Sequence, residues 1–364
     1  MHNANYCGPR GLALDVLSTM KLDRSVGICT ATIAVAVIAF AAALSAQAQT
    51  FKSGFRTLKL PYYDGYMDVA LSYPSVVAET DASFGPYRMQ VATGAPAAPG
   101  RFPLVVISHG TGGSSLAHYR FALALARAGF VVAAPTHPGD NFRDRSLVAD
   151  ARYAYERPRQ VSLVLDELLA DAEWKDRIDR NRIGAIGHSA GGYAVAALIG
   201  GVPDWGRLRT HCMTVKDDPA CAFRDPKLGV VPGGTAPLVL PASVLASGSV
   251  SDPRIRAAML LAPLGVPFVP GSFNESRATV VLIGAELDEA LARQYHYEYL
   301  RQQLPSAAAR LAPGAGHYSF LAPHVAEFRA LFGPAAQDPP GFDRESFQVQ
   351  LADEVVEFFS KALR

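Results

Sequence analysis

Two kinds of hydrophobic run alternate along most of this chain. Short continuous apolar runs predict strands buried on both faces, and apolar residues at a 3.6-residue spacing predict helices that cover them. The predicted strands are 55–60, 67–73, 104–108, 130–134, 183–186, 255–261, 279–283 and 308–311, and the predicted helices are 116–128, 156–170, 193–199, 291–304 and 345–363. This alternation predicts an α/β fold with a doubly wound, mostly parallel sheet.

The N-terminal residues depart from this pattern. Lys21 and Arg24 precede an uncharged, alanine-rich run over residues 26–46, and Ala46-Gln47-Ala48 matches the small-x-small pattern of a signal-peptide cleavage site. We therefore expect residues 1–48 to be an N-terminal extension and signal peptide that is cleaved near Ala48.

Two alternatives at this end stay open. The apolar run is about long enough to span a bilayer, so an uncleaved membrane anchor is the second interpretation. Met20 is a second possible start of translation. In either case we expect residues 49–364 to form a single domain that is exported, either to the periplasm or outside the cell.

Charge narrows the range of partners. The 364 residues carry a formal net charge of +1 and no basic run, which argues against a nucleic-acid partner. The nine histidines are scattered and show no metal-ligand spacing on a helix, so no metal site is predicted. The oligomeric state is not predicted.

The most informative motif is Gly187-His188-Ser189-Ala190-Gly191-Gly192, which joins a predicted strand to a predicted helix. A serine on a sharp strand-to-helix turn is typical of the nucleophile elbow of serine hydrolases. Glycines flank it because side chains at those positions would collide with the strand and the helix. We therefore predict that Ser189 is a catalytic nucleophile. The alternative is a helix N-cap without chemistry.

A serine hydroxyl becomes a good nucleophile only when a base removes its proton and an acid orients that base. His317 lies in a glycine-rich loop after the predicted strand 308–311 and is the predicted base. His324 is its competitor. His109, His188 and His137 are expected to be structural.

The orienting acid should follow a strand. Asp288 comes just after the predicted strand 279–283 and is our first choice, with Glu286 second and Glu289 third. The alternative role for these carboxylates is to cap the following helix.

The negative oxygen that forms during ester cleavage needs two backbone N–H donors that already point at it. Ala190 follows the nucleophile and supplies one. The loop Ser108-His109-Gly110-Thr111-Gly112-Gly113 supplies the other, from Thr111 or from Gly110.

Four motifs together resemble the α/β-hydrolase superfamily and, within it, the group loosely called predicted dienelactone hydrolases, which includes platelet-activating-factor acetylhydrolase-like enzymes. They are Ser108-His109-Gly110-Thr111-Gly112, Ala134-Pro135-Thr136-His137-Pro138-Gly139, the elbow and Gly314-Ala315-Gly316-His317. The resemblance covers most of residues 55–330. It implies the α/β-hydrolase fold and cofactor-free hydrolysis of carboxylic esters through an acyl-enzyme.

Two departures limit what the resemblance implies about substrate. True dienelactone hydrolases use a cysteine nucleophile, whereas this chain has Ser189. In the acetylhydrolase proper the acid follows the strand directly after the elbow helix, whereas here that strand ends in Leu260-Leu261-Ala262-Pro263 without an acid. The second departure supports Asp288 and weakens a phospholipid substrate.

A stretch rich in Pro, Gly and Ser, at about residues 202–250, interrupts the alternation after the elbow helix. Loops of this length in compact domains are usually functional, so we interpret this insertion as a cap over the active site; a peripheral excursion is the alternative. Cys212 and Cys221 lie within it. An exported chain favours a disulfide between them over two reduced thiols.

The sequence therefore predicts an exported serine esterase acting on a small-molecule or lipid-like ester. The alternatives are a lipase or polyester hydrolase acting on long-chain or polymeric esters, and a catalytically silent fold used for binding.

Overall fold

The predicted apolar strands lie side by side in a computed structural model of the chain. It describes residues 50–364 except residue 149 and residues 225–230, 232–233 and 245–247. The predicted signal peptide lies outside the described residues. Within them the sheet has ten strands, β1 to β10: Lys52–Tyr62, Gly65–Ser75, Thr80–Phe84, Tyr87–Thr93, Phe102–Ser108, Val131–Pro135, Ile178–His188, Ile255–Leu261, Thr279–Ala285 and Ala308–Ala312.

The order of strands across the sheet is β10-β9-β8-β7-β5-β6-β2-β1-β4-β3. From β10 to β6 each neighbouring pair is parallel, and β2 then joins β6 and β1 in antiparallel pairing. Every residue of β5 and β6 is buried, because parallel strands in such a sheet are covered on both faces. The prediction of a mostly parallel sheet is confirmed.

Helices cover both faces of this sheet. In chain order they are α1 to α7: Tyr119–Arg127, Tyr153–Ala170, Ala190–Leu198, Trp205–Thr214, Tyr297–Gln303, Arg329–Phe332 and Arg344–Ala362. Residues of α2, α3 and α5 pack in one buried apolar cluster, and residues of α1 and α7 pack in another. None of the helices among the described residues combines the length and apolar character that a membrane crossing requires.

Two elements differ from the sequence-based expectation. The helix predicted over 291–304 is regular only as α5, because the Asp288 carboxylate accepts the Ala290 and Leu291 N–H groups and holds the chain in a turn before it. The antiparallel hairpin β3–β4 was not predicted. The signal for it in the sequence was the alternation of apolar and polar residues at the start of Tyr87–Thr93, which become buried and exposed in turn.

The insertion after α3 contains more regular structure than its composition indicated. It carries α4, whose N-terminus is capped by Asp204 through a hydrogen bond from the Gly206 N–H at 2.9 Å. A 3₁₀ turn, Pro219–Arg224, follows. The structure contains the predicted disulfide between Cys212 and Cys221, which links these two elements.

A buried carboxylate, that of Asp218, links the insertion to the segment between β9 and α5. Asp218 Oδ2 accepts hydrogen bonds from His211 Nε2 of α4 at 2.7 Å and from His296 Nε2 at 2.9 Å. Asp218 Oδ1 accepts from the backbone N–H groups of Ala220 and Ala292. Burial by itself raises the pKa of Asp218, but the hydrogen bond and charge of His296 and the hydrogen bonds from His211 and the Ala220 N–H outweigh it and hold the pKa at about 2. The ionised carboxylate thus joins the insertion to the segment between β9 and α5.

Because the folded-state pKa of Asp218 lies below the ordinary value of 3.8, its contribution to stability is complete above about pH 4 and is lost as the pH falls toward 2. We expect Asp218→Asn to lower the free energy of unfolding by about 1–2 kcal/mol at pH 6, and we expect this deficit to shrink between pH 4 and pH 2. Urea unfolding at a series of pH values measures it. Asp217→Asn is the control, since among the described residues that exposed carboxylate accepts only from the Tyr295 hydroxyl. A deficit that does not change with pH would contradict this account.

Candidate active site

Ser189 occupies a strained backbone position at the junction of β7 and α3. Its φ of +57° and ψ of −119° lie where residues with a Cβ are rarely found, at a cost of about 1–3 kcal/mol. Three backbone hydrogen bonds hold it there. The Ser189 N–H donates to the Leu261 carbonyl of β8 at 3.0 Å, and the Ser189 carbonyl accepts from Tyr193 and Leu264. The strain is therefore fixed by the sheet and by the helix.

The elbow glycines are required by close backbone approaches. A Cβ at Gly191 would lie 2.0 Å from the Ser108 carbonyl oxygen, and one at Gly187 would lie 2.2 Å from the Gly191 carbonyl oxygen. At Gly192 a Cβ would lie 2.7 Å from Pro263 Cβ. The collisions that we inferred from the motif are thus present in the structure.

His317 and Asp288 are paired beside the elbow. His317 Nδ1 lies 3.0 Å from Asp288 Oδ2, and the two side chains are only 3% and 5% exposed. The His317 carbonyl accepts a hydrogen bond from His188 Nε2 at 3.0 Å, which ties the loop of His317 to the elbow itself. His317 and Ser189 line the same cleft. The structure therefore pairs two of the predicted triad residues, His317 and Asp288, and places the third, Ser189, on the same cleft as His317.

The three candidate acids hold different parts of one loop. Asp288 Oδ2 faces the imidazole, while its Oδ1 accepts from Ala290 and Leu291, so the orienting and capping roles occur in one carboxylate. Glu289 accepts from the His317 backbone N–H at 2.8 Å, and Glu286 accepts from the Gly314 N–H at 2.7 Å. Asp288 alone of the three is hydrogen-bonded to the imidazole of His317 within the described residues.

The predicted oxyanion donors lie on the cleft. Thr111 and Ala190 both line it, and in the part of the chain that the structure describes neither backbone N–H has a hydrogen-bond acceptor. The Gly110 N–H is free in the same sense, so the structure does not choose between Gly110 and Thr111. The Gly112 N–H is occupied, because it donates to Asp140 Oδ1 at 2.9 Å.

A buried ion pair that the sequence analysis missed fixes this loop. Arg157 and Asp140 pair with side chains that are each 1% exposed. Arg157 also donates to the His109 carbonyl, and Asp140 accepts from the Gly112 N–H and from the Tyr153 hydroxyl. Burial raises the pKa of the Asp140 carboxyl, and the charge of Arg157 opposes that rise. The pair therefore holds both ends of the loop that carries Thr111.

The pair left little trace in the sequence. Asp140 follows β6 in a loop rich in Gly and Pro, which is a position where functional acids occur, but Arg157 lies within α2 without any local signal.

Two other histidines near the elbow, His109 and His137, hydrogen-bond to neighbouring protein groups. His109 Nδ1 donates to the Gly110 carbonyl at 2.7 Å, and its Nε2 accepts the His137 N–H. His137 donates to Gln160 and accepts from the Ser108 hydroxyl. Burial lowers the pKa of both imidazoles well below the ordinary value, so both are neutral. These bonds stabilise the end of β5, where the oxyanion loop begins.

His324, the competing base, points to a different group of partners. Its Nε2 lies 3.5 Å from the Tyr87 hydroxyl, and its ring stacks on Phe332 with centroids 3.8 Å apart. It has no carboxylate partner among the described residues, which favours His317 as the base.

Histidine, acidic and cysteine side chains also come together within the insertion. His211, Asp218 and Cys221 are close enough to hold a metal ion. The Cys221 sulfur is bonded to Cys212, however, so it is not a free thiolate ligand. The catalytic geometry above does not involve this group.

The cleft above Ser189 has a volume of about 1160 Å³. Residues of the insertion, among them Trp205, Leu208 and Leu238, line one part of it. The insertion therefore contacts the site, as the interpretation of a cap requires.

The fold agrees with the relatives of the chain. The chain belongs to the alpha/beta hydrolase family, whose model matches residues 104–330. A second family model, platelet-activating factor acetylhydrolase, isoform II, matches residues 44–160. Among solved structures, a ferulic acid esterase from Streptomyces cinnamoneus is similar with a TM-score of 0.50 and 20% sequence identity, over 88% of this chain and 92% of that chain. At that identity the likeness concerns the fold. The predicted fold, family and hydrolase class are confirmed.

We expect Gly191→Ala to prevent correct formation of the elbow, because the new methyl group would lie 2.0 Å from a backbone oxygen that cannot move without displacing β5. The loss of stability should exceed about 3 kcal/mol, and any folded fraction should be inactive. Thermal unfolding and ester turnover measure the two effects. Gly65→Ala is a matched control, since the nearest atom to its added Cβ is 3.8 Å away. A stable and active Gly191→Ala variant would overturn the steric explanation.

Proposed function

We propose that this protein is a serine esterase that cleaves carboxylic esters through an acyl-enzyme, with Ser189 as nucleophile, His317 as base and Asp288 as the orienting acid. The observation that carries the proposal is the 3.0 Å contact between His317 Nδ1 and Asp288 Oδ2, in the same cleft as a serine held at a φ of +57°. This arrangement has the roles and order of a catalytic triad.

In the first half of the proposed reaction the Ser189 hydroxyl attacks the ester carbonyl carbon while His317 Nε2 takes its proton. The negative carbonyl oxygen then receives hydrogen bonds from the Ala190 and Thr111 N–H groups, each worth about 3 kcal/mol in the transition state. The carbon–oxygen bond to the alcohol breaks as His317 returns the proton to the leaving oxygen. The alcohol departs and the acyl group remains on Ser189.

In the second half a water molecule attacks the acyl-enzyme, again with His317 as base. The proton taken from water passes to Ser189 Oγ when the acyl–oxygen bond breaks, and the carboxylic acid leaves. Asp288 accepts a hydrogen bond from Nδ1 throughout, which stabilises the imidazolium and keeps Nε2 directed at the cleft.

The Arg157–Asp140 pair supports the donor loop rather than the chemistry itself. Oxyanion donors are effective when they are already aimed, so that no reorganisation is needed as charge develops. The buried bonds to the His109 carbonyl and the Gly112 N–H satisfy this condition on both sides of Thr111.

The class of substrate is supported by the relatives. The match to a platelet-activating factor acetylhydrolase model and the likeness to a ferulic acid esterase both favour a small carboxylic ester. We further propose that the enzyme acts outside the cytoplasm, which the disulfide supports because such bonds persist in oxidising compartments.

A fluorophosphonate probe should label the wild-type protein and not Ser189→Ala, because the probe reacts only with an activated serine. Mass spectrometry of the intact protein measures the labelling. Ser115→Ala is the control, because Ser115 also lines the cleft, and it should label fully. Ser319 is unsuitable for this purpose because its hydroxyl is buried and hydrogen-bonded. Labelling of Ser189→Ala would refute the assignment. Folded wild type that is neither labelled nor able to turn over any ester would favour the silent binding protein.

Among the carboxylates, Asp288→Asn should lower kcat/KM for a 4-nitrophenyl ester by about 10³–10⁴-fold, because the imidazole loses the acceptor that fixes its tautomer. Glu286→Gln is the matched control on the same loop. It retains an acceptor for the Gly314 N–H, so its kcat/KM should stay within about threefold of wild type. The assignment of the acid fails if Glu286→Gln shows the larger loss.

A further inference from the structure

Two chemically different sets of apolar residues line the cleft. We name the first the leucine wall, formed by Leu208, Leu238 and Leu264. The second is the aromatic wall, formed by Phe84, Tyr87, Tyr318 and Phe332. All seven residues line the cleft together with Ser189.

The leucine wall lies on the side of Ala190. Ala190 belongs to a buried cluster with Leu147, Tyr153 and Leu240, and Leu238 packs against that cluster. The Leu264 N–H donates to the Ser189 carbonyl at 3.2 Å, which places Leu264 beside the elbow. The Leu238 N–H donates to Asp144 Oδ2 and Ser146 Oγ, so this part of the insertion is fixed to the body of the protein. The leucine wall is therefore ordered and adjacent to the proposed donor Ala190, and Trp205 packs against the same cluster as Leu238.

The aromatic wall lies on the side of His317. Tyr318 is the next residue, and its ring centroid is 5.2 Å from that of His317. Further along the same segment, the ring of His324 contacts Tyr87 at 5.4 Å and stacks on Phe332 at 3.8 Å.

The β3–β4 turn completes this wall. The Val325 N–H donates to the Pro86 carbonyl at 3.0 Å, which joins the hairpin to the segment after His317. Burial and the charges of Arg344 and Arg329 lower the pKa of His324 to about 4, so the ring between Tyr87 and Phe332 is neutral. The wall thus offers uncharged ring faces.

The chemistry of the proposed mechanism distinguishes the two walls. The same imidazole that takes the serine proton must give it to the leaving alcohol oxygen, so that oxygen lies against His317. The alcohol group therefore extends toward the segment that follows His317. The carbonyl oxygen faces the Ala190 N–H. The acyl chain extends away from the alcohol group, toward the leucines.

We infer that the leucine wall binds the acyl group and the aromatic wall binds the alcohol group, so that the preferred substrates are esters of aliphatic acids with aromatic alcohols. This inference rests on the proposed function. Edge-to-face and offset contacts between aromatic rings contribute binding free energy beyond that of the area they bury. Leucine side chains instead stabilise a bound alkyl chain through the apolar area that it buries.

The test uses two matched series of esters. In the first, butanoate esters of benzyl alcohol and of cyclohexylmethanol differ in aromaticity but little in size. In the second, 4-nitrophenyl esters from acetate to decanoate vary the acyl chain alone. We expect wild type to show a several-fold higher kcat/KM for the benzyl ester than for the cyclohexylmethyl ester.

Two single variants address the walls separately. Phe332→Ala should remove most of the benzyl preference and leave the acyl-chain profile unchanged. Leu238→Ala should lower kcat/KM for the octanoate and decanoate esters about 5–10-fold relative to acetate and leave the benzyl preference unchanged. Neither residue belongs to the proposed catalytic machinery.

Deacylation gives an independent readout, because every ester of one acid passes through the same acyl-enzyme and the alcohol has already left. The deacylation rate constant of the octanoyl-enzyme, measured after a burst of 4-nitrophenol, should change in Leu238→Ala and remain that of wild type in Phe332→Ala. A change in Phe332→Ala would overturn the inference.

Folding and chemistry are controlled by the stoichiometry of fluorophosphonate labelling and by the melting temperature of each variant. If either alanine variant does not fold, Phe332→Leu or Leu238→Asn replaces it in the same assays. The inference would be overturned, with the serine mechanism intact, if Phe332→Ala changed the acyl-chain profile and Leu238→Ala changed the benzyl preference. The absence of any shift in either profile would also overturn it. Failure of Ser189 labelling would instead remove the proposed function.

Discussion

The close approach of the elbow to the end of β5 is the constraint on which the site depends. The Ser108 carbonyl lies where a Cβ at Gly191 would be, at 2.0 Å, so only a residue without a side chain lets α3 begin there. That approach sets the Ala190 N–H beside the loop of Thr111. It also fixes Ser189 at a positive φ, with the strain held by backbone bonds to β8 and α3.

Polar contacts then hold the loops of the proposed site in place. Arg157 and Asp140 fix the loop of Thr111, and Glu289 and His188 fix the backbone of the loop that carries His317. Unpaired charges would be costly at the depth of Arg157 and Asp140, so that pair specifies one arrangement of the Thr111 loop. Asp218 plays the same part for the insertion. The site thus combines a rigid sheet edge with loops that are held by hydrogen bonds from distant elements.

Much of this could be predicted because it depends on local pattern. Continuous apolar runs indicated the parallel strands, and the glycines around Ser189 indicated the elbow. Asp288 was ranked first among three acids that follow β9, although Glu286 lies closer to the end of that strand and Glu289 is the next residue after Asp288. What separates them is orientation: Asp288 faces the imidazole, and the two glutamates face backbone N–H groups. Orientation arises from the turn after β9, which sequence spacing does not specify.

The sequence by itself determined the parallel strands and most of the helices that cover them, the elbow and the candidates for base and acid, because apolar periodicity and glycine requirements act over a few residues. Only the tertiary structure decided which side chains meet. Arg157 reaches the His109 carbonyl across 48 positions, and Asp218 meets His296 across 78. Such pairs form where the packed sheet leaves two polar groups facing each other without water, and no local pattern encodes that meeting. The same holds for the two walls of the cleft, which come from segments far apart in the chain.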